Sequence, residues 1–300
     1  MHDPLPLVSI GIPTYNRANL LGRSIESALS QDYANIEVVI SDNASTDGTQ
    51  SICEAYCRQS SRVTYLRLPS NLGATANFSA VLERATGEFF VWLGDDDWMD
   101  QGYVRCCVQE LMNDPTLSLA AGTAHYYRNG QHVNQGATLN LLQEQWWRRI
   151  ASYYLNVTDN GMFYGVMRTT QLRAAGIRNV RAGDWLVMAN ILSMGKAKTL
   201  QTVSVHRELG GASSSPGAIA KSLGLSGFQA RFPKTSVATN ASLDLISKGR
   251  AHDDKHPAAR VLLAAGVFST IVARYGAIYA NAAVDRTGKH LRRLARRVPS

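Results

Sequence analysis

Over the first hundred residues, short continuous apolar runs alternate with longer stretches whose apolar residues recur at helical spacing. Residues 7–12, 36–40, 63–68 and 89–93 read as buried strands, because unbroken β-branched, aliphatic and aromatic runs suit a sheet covered on both faces. Residues 19–30, 45–60 and 75–85 read as the helices between them. Ser45, Thr46 and Asp47 offer N-caps for the second of these, and Gly87 stops the third. Crossovers of this length permit parallel pairing, and right-handed crossovers build a doubly wound, Rossmann-like α/β sheet.

Beyond residue 100 the alternation loosens. A helix is predicted over 101–113, stopped by Pro115, then a strand over 117–127, a hairpin turn at Asn129-Gly130 and a return over 131–133. Residues 138–155 read as a helix holding Trp146 and Trp147 as packing residues. A short apolar segment over 160–168 leads to a helix over 169–175 closed by Gly176. A buried helix over 185–193 follows, with Asp184 at its start in the position of an N-cap. The strand 197–206 runs into a small-residue loop, 210–217, that reads as a lid or a linker. From 218 onward no motif appears, and residues 257–284 are rich in Ala, Val and aromatics. Residues 261–273 carry no charge but are too few to span a bilayer, and Arg260 and Arg274 bracket them; they read as a packed helix, amphipathic at its basic end. The pattern divides the chain into 1–115, 116–217 and a mainly helical 218–300.

Three predicted strands end in polar clusters: residues 14–17, Asp42 with Asn43, and Asp95-Asp96-Asp97. The carboxyl ends of strands in an open α/β sheet share one edge, where such sheets place their ligands. Three adjacent carboxylates raise one another's pKa, and a divalent cation with oxygen ligands relieves the repulsion. A solvated acidic turn is the alternative. Neither G-x-G-x-x-G nor a Walker lysine follows the first strand, which excludes the usual nicotinamide enzymes and P-loop nucleotidases. A diphosphate bound here would need another counter-charge, and a metal held by the acidic triplet supplies one.

Composition adds bounds rather than chemistry. The 300 residues are 45% hydrophobic, as in a soluble globular chain, and 18% charged, which is somewhat low, with a net charge of +8. The basic excess concentrates at Arg286, Lys289, Arg292, Arg293, Arg296 and Arg297, either a solvated helix end or a contact for an anionic membrane surface or nucleic acid. Residues 1–6 lack the pattern of a signal peptide. Cys53, Cys57, Cys106 and Cys107 have neither disulfide nor zinc-site spacing and read as reduced thiols of a cytoplasmic protein.

The stretches 8–17 (Val-Ser-Ile-Gly-Ile-Pro-Thr-Tyr-Asn-Arg) and 38–49, together with Asn71-Leu72-Gly73, Asn77 and 93–97, resemble the inverting glycosyltransferases of family 2 in order and spacing. The second half matches more weakly, through 165–168 and Gly183-Asp184. The resemblance implies the glycosyltransferase A-type fold, with a nucleotide-sugar-binding half, a mixed acceptor-side half and a helical C-terminal extension. It implies transfer of a sugar from a nucleotide diphosphate donor, a UDP-sugar before others, to a glycan or lipid-linked acceptor in polysaccharide biosynthesis. Pro13, Thr14, Tyr15 and Asn16 would line the nucleoside pocket, Asp42 would accept a hydrogen bond from the base, and Asn71 and Gly73 would border the nucleotide. Gly94 stands where the family carries its first Asp, so ribose and metal roles fall to Asp95 and Asp96, with Mn²⁺ or Mg²⁺ placed first of all on Asp97. Asp184 would be the general base, and His206 is a further candidate metal or diphosphate ligand. Arg207 and Arg168 are either counter-charges or salt-bridging residues. Membrane-surface contact through the basic C-terminus is compatible with this function, whereas a nucleic-acid partner is not expected. The rival readings are a nucleotide-sugar-binding regulator without turnover and a nucleotidyltransferase.

Overall fold

A computed structural model of the chain describes residues 5–210, 217, 219–220, 223–225, 227–247 and 250–274. Most of the small-residue loop 210–217 and all of the basic cluster 286–297 lie outside them.

The apolar runs form β1 (Val8–Thr14), β2 (Ile36–Asp42), β3 (Val63–Arg67) and β4 (Phe89–Trp92), joined by α1 (Leu21–Leu29), α2 (Thr49–Gln59) and α3 (Ala74–Arg84). β1 pairs in parallel with both β2 and β4, and β2 with β3, so the doubly wound half stands as predicted. The strands alternate between the two cores. Phe89, Val91 and Leu93 enter one with Ile10, Ile12 and Val38, while Phe90 and Trp92 enter the other. Gly11 lies beneath Phe90, whose ring would come within 2.5 Å of a Cβ at that position.

The later half is mixed rather than parallel. β5 (Trp98–Met99), α4 (Tyr103–Asn113), β6 (Leu117–Arg128), β7 (Gln131–Gln135), α5 (Trp146–Asn156), a 3-10 turn (Gly161–Tyr164), β8 (Val166–Arg168), α6 (Thr169–Ala175), α7 (Gly183–Met194) and β9 (Lys196–Glu208) follow in turn. The sheet order is β3-β2-β1-β4-β8-β6-β9-β5, with β7 on β6. β8 is antiparallel to β4 and β6, while β9 runs parallel to β6. One sheet thus continues through both halves, and α7, buried on all sides, backs its centre. Three helices close the described chain: α8 (Gly227–Arg231), α9 (Pro233–Ile246) and α10 (Pro257–Arg274).

Two expectations fail here. The helix predicted over 138–155 begins only at Trp146, because Leu141 is drawn into a backbone bridge with Ala197 and the Asn140 side chain accepts the Thr199 N–H. Trp147 is 43% exposed and so is no packing residue. The four cysteines are free, with Cys53 and Cys107 buried.

Candidate active site

The carboxyl ends of β1, β2 and β4 open into a cleft of about 1020 Å³. Pro13, Thr14, Tyr15 and Asn16 form one wall, Asn71 and Gly73 another, and the acidic triplet the floor. The chain turns out of β1 at Asn16 (φ 53°) and out of β2 at Ala44 (φ 60°), left-handed positions that non-glycine residues occupy at a cost of about 1–3 kcal/mol. The two turns are tied together: the Asn16 N–H donates to Ser45 Oγ (2.8 Å), and its side-chain oxygen accepts the Thr46 N–H (2.8 Å). Asn43 Nδ2 donates to Asn71 Oδ1 (2.8 Å), which also accepts the Gly73 N–H (3.0 Å) and so fixes the start of α3 at the rim.

The acidic turn is built without room to spare. A Cβ on Gly94 would lie 2.5 Å from Asp97 Oδ2. Asp95 and Asp96 keep 15% and 17% of their side-chain surface exposed, and Arg17 sits 3.6 and 4.0 Å from them. Asp97 is almost closed off, its oxygens accepting the Glu208 N–H (2.9 Å) and Arg207 Nε (3.3 Å). Burial pushes the Asp95 carboxyl up to about 7, with the Asp96 charge as a second cause, and Asp97 to about 6; burial also raises Asp96. Burial is therefore the larger cause, ahead of the mutual repulsion anticipated from three carboxylates in a row.

Asp184 faces a second chamber of about 710 Å³. The two chambers share the walls Phe78, Tyr164, Arg207 and Leu223. Arg207 stands between them, its guanidinium 3.9 Å over the Tyr164 ring and Nη2 donating to the Tyr164 hydroxyl at 2.7 Å. α7 starts after Ala182, held left-handed at φ 58°, and a Cβ on Gly183 would strike the Arg178 carbonyl. Asp184 thus sits in the first turn, where the backbone N–H groups of Asp184 and Trp185 act on its carboxylate, and it accepts a side-chain hydrogen bond from Asn160 Nδ2 at 2.8 Å. Burial raises its pKa, against the opposing pull of that bond, of the backbone N–H groups and of the Arg207 charge. Asp159, on the same wall, is pushed up by burial too, but hydrogen bonds from Ala137, Tyr126, Gly161 and Thr158 outweigh this and hold it low. Of the two carboxylates, Asp184 is the one whose surroundings favour taking a proton.

A family model for glycosyl transferase family 2 matches residues 9–175. The chain belongs to that family. Among family 2 relatives, the chondroitin synthase of Pasteurella multocida is 27% identical over 213 residues, covering 69% of this chain and 21% of the synthase. The chain spans about a fifth of the length of the first curated relatives it matches. Among solved structures, Staphylococcus aureus TarS 1–349 in complex with UDP-GlcNAc aligns with a TM-score of 0.63 at 18% identity, over 88% of this chain and 72% of that one. The mannosyltransferase PcManGT of Pyrobaculum calidifontis, in complex with GDP-Man and Mn²⁺, aligns with a TM-score of 0.58 at 21% identity, over 95% and 80%. The fold is the glycosyltransferase A type.

Within this family 2 fold, the residues expected at the nucleotide converge on the cleft, with one exception. Asp42 is fully buried behind it: its carboxylate accepts the Ser45 N–H (2.8 Å) and the Tyr65 hydroxyl (2.9 Å), and the next residue, Asn43, forms the wall. His206 points to the opposite side of β9 from Arg207, its ring nitrogens against Asp100 (2.8 Å) and the Tyr127 hydroxyl (3.1 Å), which leaves neither for a metal or diphosphate. Arg168 bonds the carbonyls of Leu117 and Leu111 and serves the fold. Asp97, expected to hold metal before the others, has both oxygens engaged. Among the described residues no three His, Cys, Asp or Glu side chains converge as a metal site. Asp95 and Asp96 nevertheless suit Mg²⁺ or Mn²⁺, which take one or two carboxylates and leave further positions to phosphate oxygens and water. Sequence reasoning missed Tyr164, Asn160 and Phe78. The segment 160–168 reads only as apolar, and nothing in it announces a wall common to two chambers.

Proposed function

We propose that the chain transfers a sugar, with inversion, from a nucleotide diphosphate donor to a hydroxyl of a glycan or lipid-linked acceptor in polysaccharide biosynthesis. The observation that carries this reading is the placement of Asp184 and the acidic triplet in adjoining chambers across the shared wall of Phe78, Tyr164 and Arg207. The donor nucleotide lies along Pro13–Asn16 and Asn71–Gly73, with the start of α3 offering backbone N–H groups to the diphosphate. UDP is the favoured nucleotide because TarS, of the same fold, is known in complex with UDP-GlcNAc. Asp95 and Asp96 would hold Mn²⁺ or Mg²⁺, which when bound neutralises charge on the diphosphate.

Asp184 takes the proton of the acceptor hydroxyl as that oxygen attacks the anomeric carbon from the face opposite the departing diphosphate. Its raised pKa makes it a stronger base than an ordinary carboxylate, and the bond from Asn160 fixes its orientation. Arg207, held by Asp97 and Tyr164, adds a positive charge at the boundary between the two substrates. The four free thiols suit a cytoplasmic site, and the basic residues 286–297 suit peripheral contact with the inner face of a membrane.

Asp184→Asn tests the reading. Transfer should fall by about a thousandfold or more, a general base contributing about 10²–10⁴, while UDP-sugar binding followed by calorimetry stays within about twofold. Full transfer by the variant would refute the base. Product analysis separates the rivals: free nucleoside diphosphate marks transfer, pyrophosphate marks nucleotidyl transfer, and neither marks simple binding.

A further inference from the structure

Helix α10 (Pro257–Arg274) is docked on the protein by one face only. Leu263, Val267 and Ile271 are buried against the core. Arg260 donates from Nε to the Leu245 carbonyl (2.8 Å), and Arg274 bonds the carbonyls of Tyr154 and Val157 (2.7 Å each). Outside that face the helix is apolar and open: Val261, Leu262, Phe268 and Val272 are 57%, 74%, 38% and 45% exposed. At about 100° per residue Val261, Phe268 and Val272 form a strip along one flank of the buried set, and Leu262 lies on the far side. No charged residue occurs between Arg260 and Arg274. A helix on the surface of a soluble protein ordinarily turns charges to water, so this one carries its amphipathic pattern the wrong way for an aqueous boundary.

We infer that the open face of α10 docks onto an anionic lipid bilayer, lying in the interface rather than crossing it. By length and composition the helix would pass for a membrane span. Crossing would strip Val267 and Ile271 from the core and break the bonds of Arg260 and Arg274, whereas lying flat buries only what is already exposed. The sign of the partner follows from the next stretch of sequence. Residues 275–300 hold six basic residues against one acidic, five of the eight net positive charges of the chain. An anionic surface attracts that segment. α9, on which α10 packs through the Ser242 hydroxyl and the Ala264 carbonyl (2.9 Å), supplies Pro233, Lys234 and Val237 to the wall of the Asp184 chamber. Docking would therefore set that chamber close to the lipid surface.

The test uses the full chain and needs no sugar donor, so it stands or fails apart from the proposed transfer. Sedimentation with vesicles of phosphatidylcholine and phosphatidylglycerol (3:1) should carry down the wild type, and phosphatidylcholine vesicles should carry down far less. Leu262→Glu with Phe268→Glu, both on the open face, should cut partitioning at least tenfold with an unchanged thermal midpoint. Wild-type partitioning by the double variant would overturn the inference, since the basic segment alone would then suffice. Equal binding to both vesicle types would overturn the anionic preference. A dimer in solution that the same substitutions dissociate, without vesicle binding by the wild type, would assign the face to a second copy.

Discussion

Asp95→Asn separates the cost of the acidic turn from its use. Burial lifts the Asp95 carboxyl from its ordinary 3.8 to about 7. At about 1.4 kcal/mol per pH unit, holding it ionised at pH 8 costs the fold on the order of 4 kcal/mol, an upper figure. Arg17, left with Asp96 alone, would lower the gain to about 2–4 kcal/mol. The sign follows from which state holds the proton. Between pH 4 and 7 the folded chain keeps a proton that the unfolded chain has released, so this group makes wild-type stability fall as pH rises across that window. Asparagine has no proton to lose. Urea unfolding of both proteins from pH 4 to 8 should show the variant ahead by about 2–4 kcal/mol at pH 8, with the gap shrinking towards zero at pH 4, while UDP-sugar binding in Mn²⁺ weakens. A variant no more stable at pH 8, or a gap independent of pH, would refute the claim that this carboxylate is held charged against the preference of the fold.

Other perturbations test neighbouring claims. Gly94→Ala drives a methyl against Asp97 and should cost about 1–3 kcal/mol by overpacking, with weaker donor binding read by calorimetry. Arg207→Met removes the charge between the chambers, and transfer should drop about 10²–10³-fold in steady-state assays of folded protein. Arg168→Met leaves two carbonyls without their donor and should cost about 1–3 kcal/mol in urea, yet transfer per folded molecule should be unchanged; a matching loss of activity would return Arg168 to the site.

The first half was legible because its chemistry is local. Each strand is a continuous apolar run, each crossover is long enough for one helix, and the polar clusters follow the runs directly, so the edge of the sheet and the cleft along it could be placed from spacing, while the resemblance supplied Asn71 and Gly73. The second half depends on pairing across distance. Nothing in residues 138–145 reveals that Leu141 bridges to Ala197, and helical spacing there misleads. The same limit explains His206 and Arg207. They are adjacent on β9, and alternation sends one to the Asp100 side and the other to the cleft, but the register that decides which is which is set by β6. Asp97 reads as a ligand from its motif, and only the return of β9 reveals that its oxygens are already engaged.

That return has a consequence for any attempt to treat the chain as modular. Asp97 is fastened to Arg207 and Glu208, 110 and 111 residues further on. An excised fragment 1–115 would carry the acidic turn without the strand that holds it closed, and a ribosome would release a finished donor cleft only after β9 had been made. The cleft at the acidic turn is contiguous in space but draws on residues from both ends of the sequence.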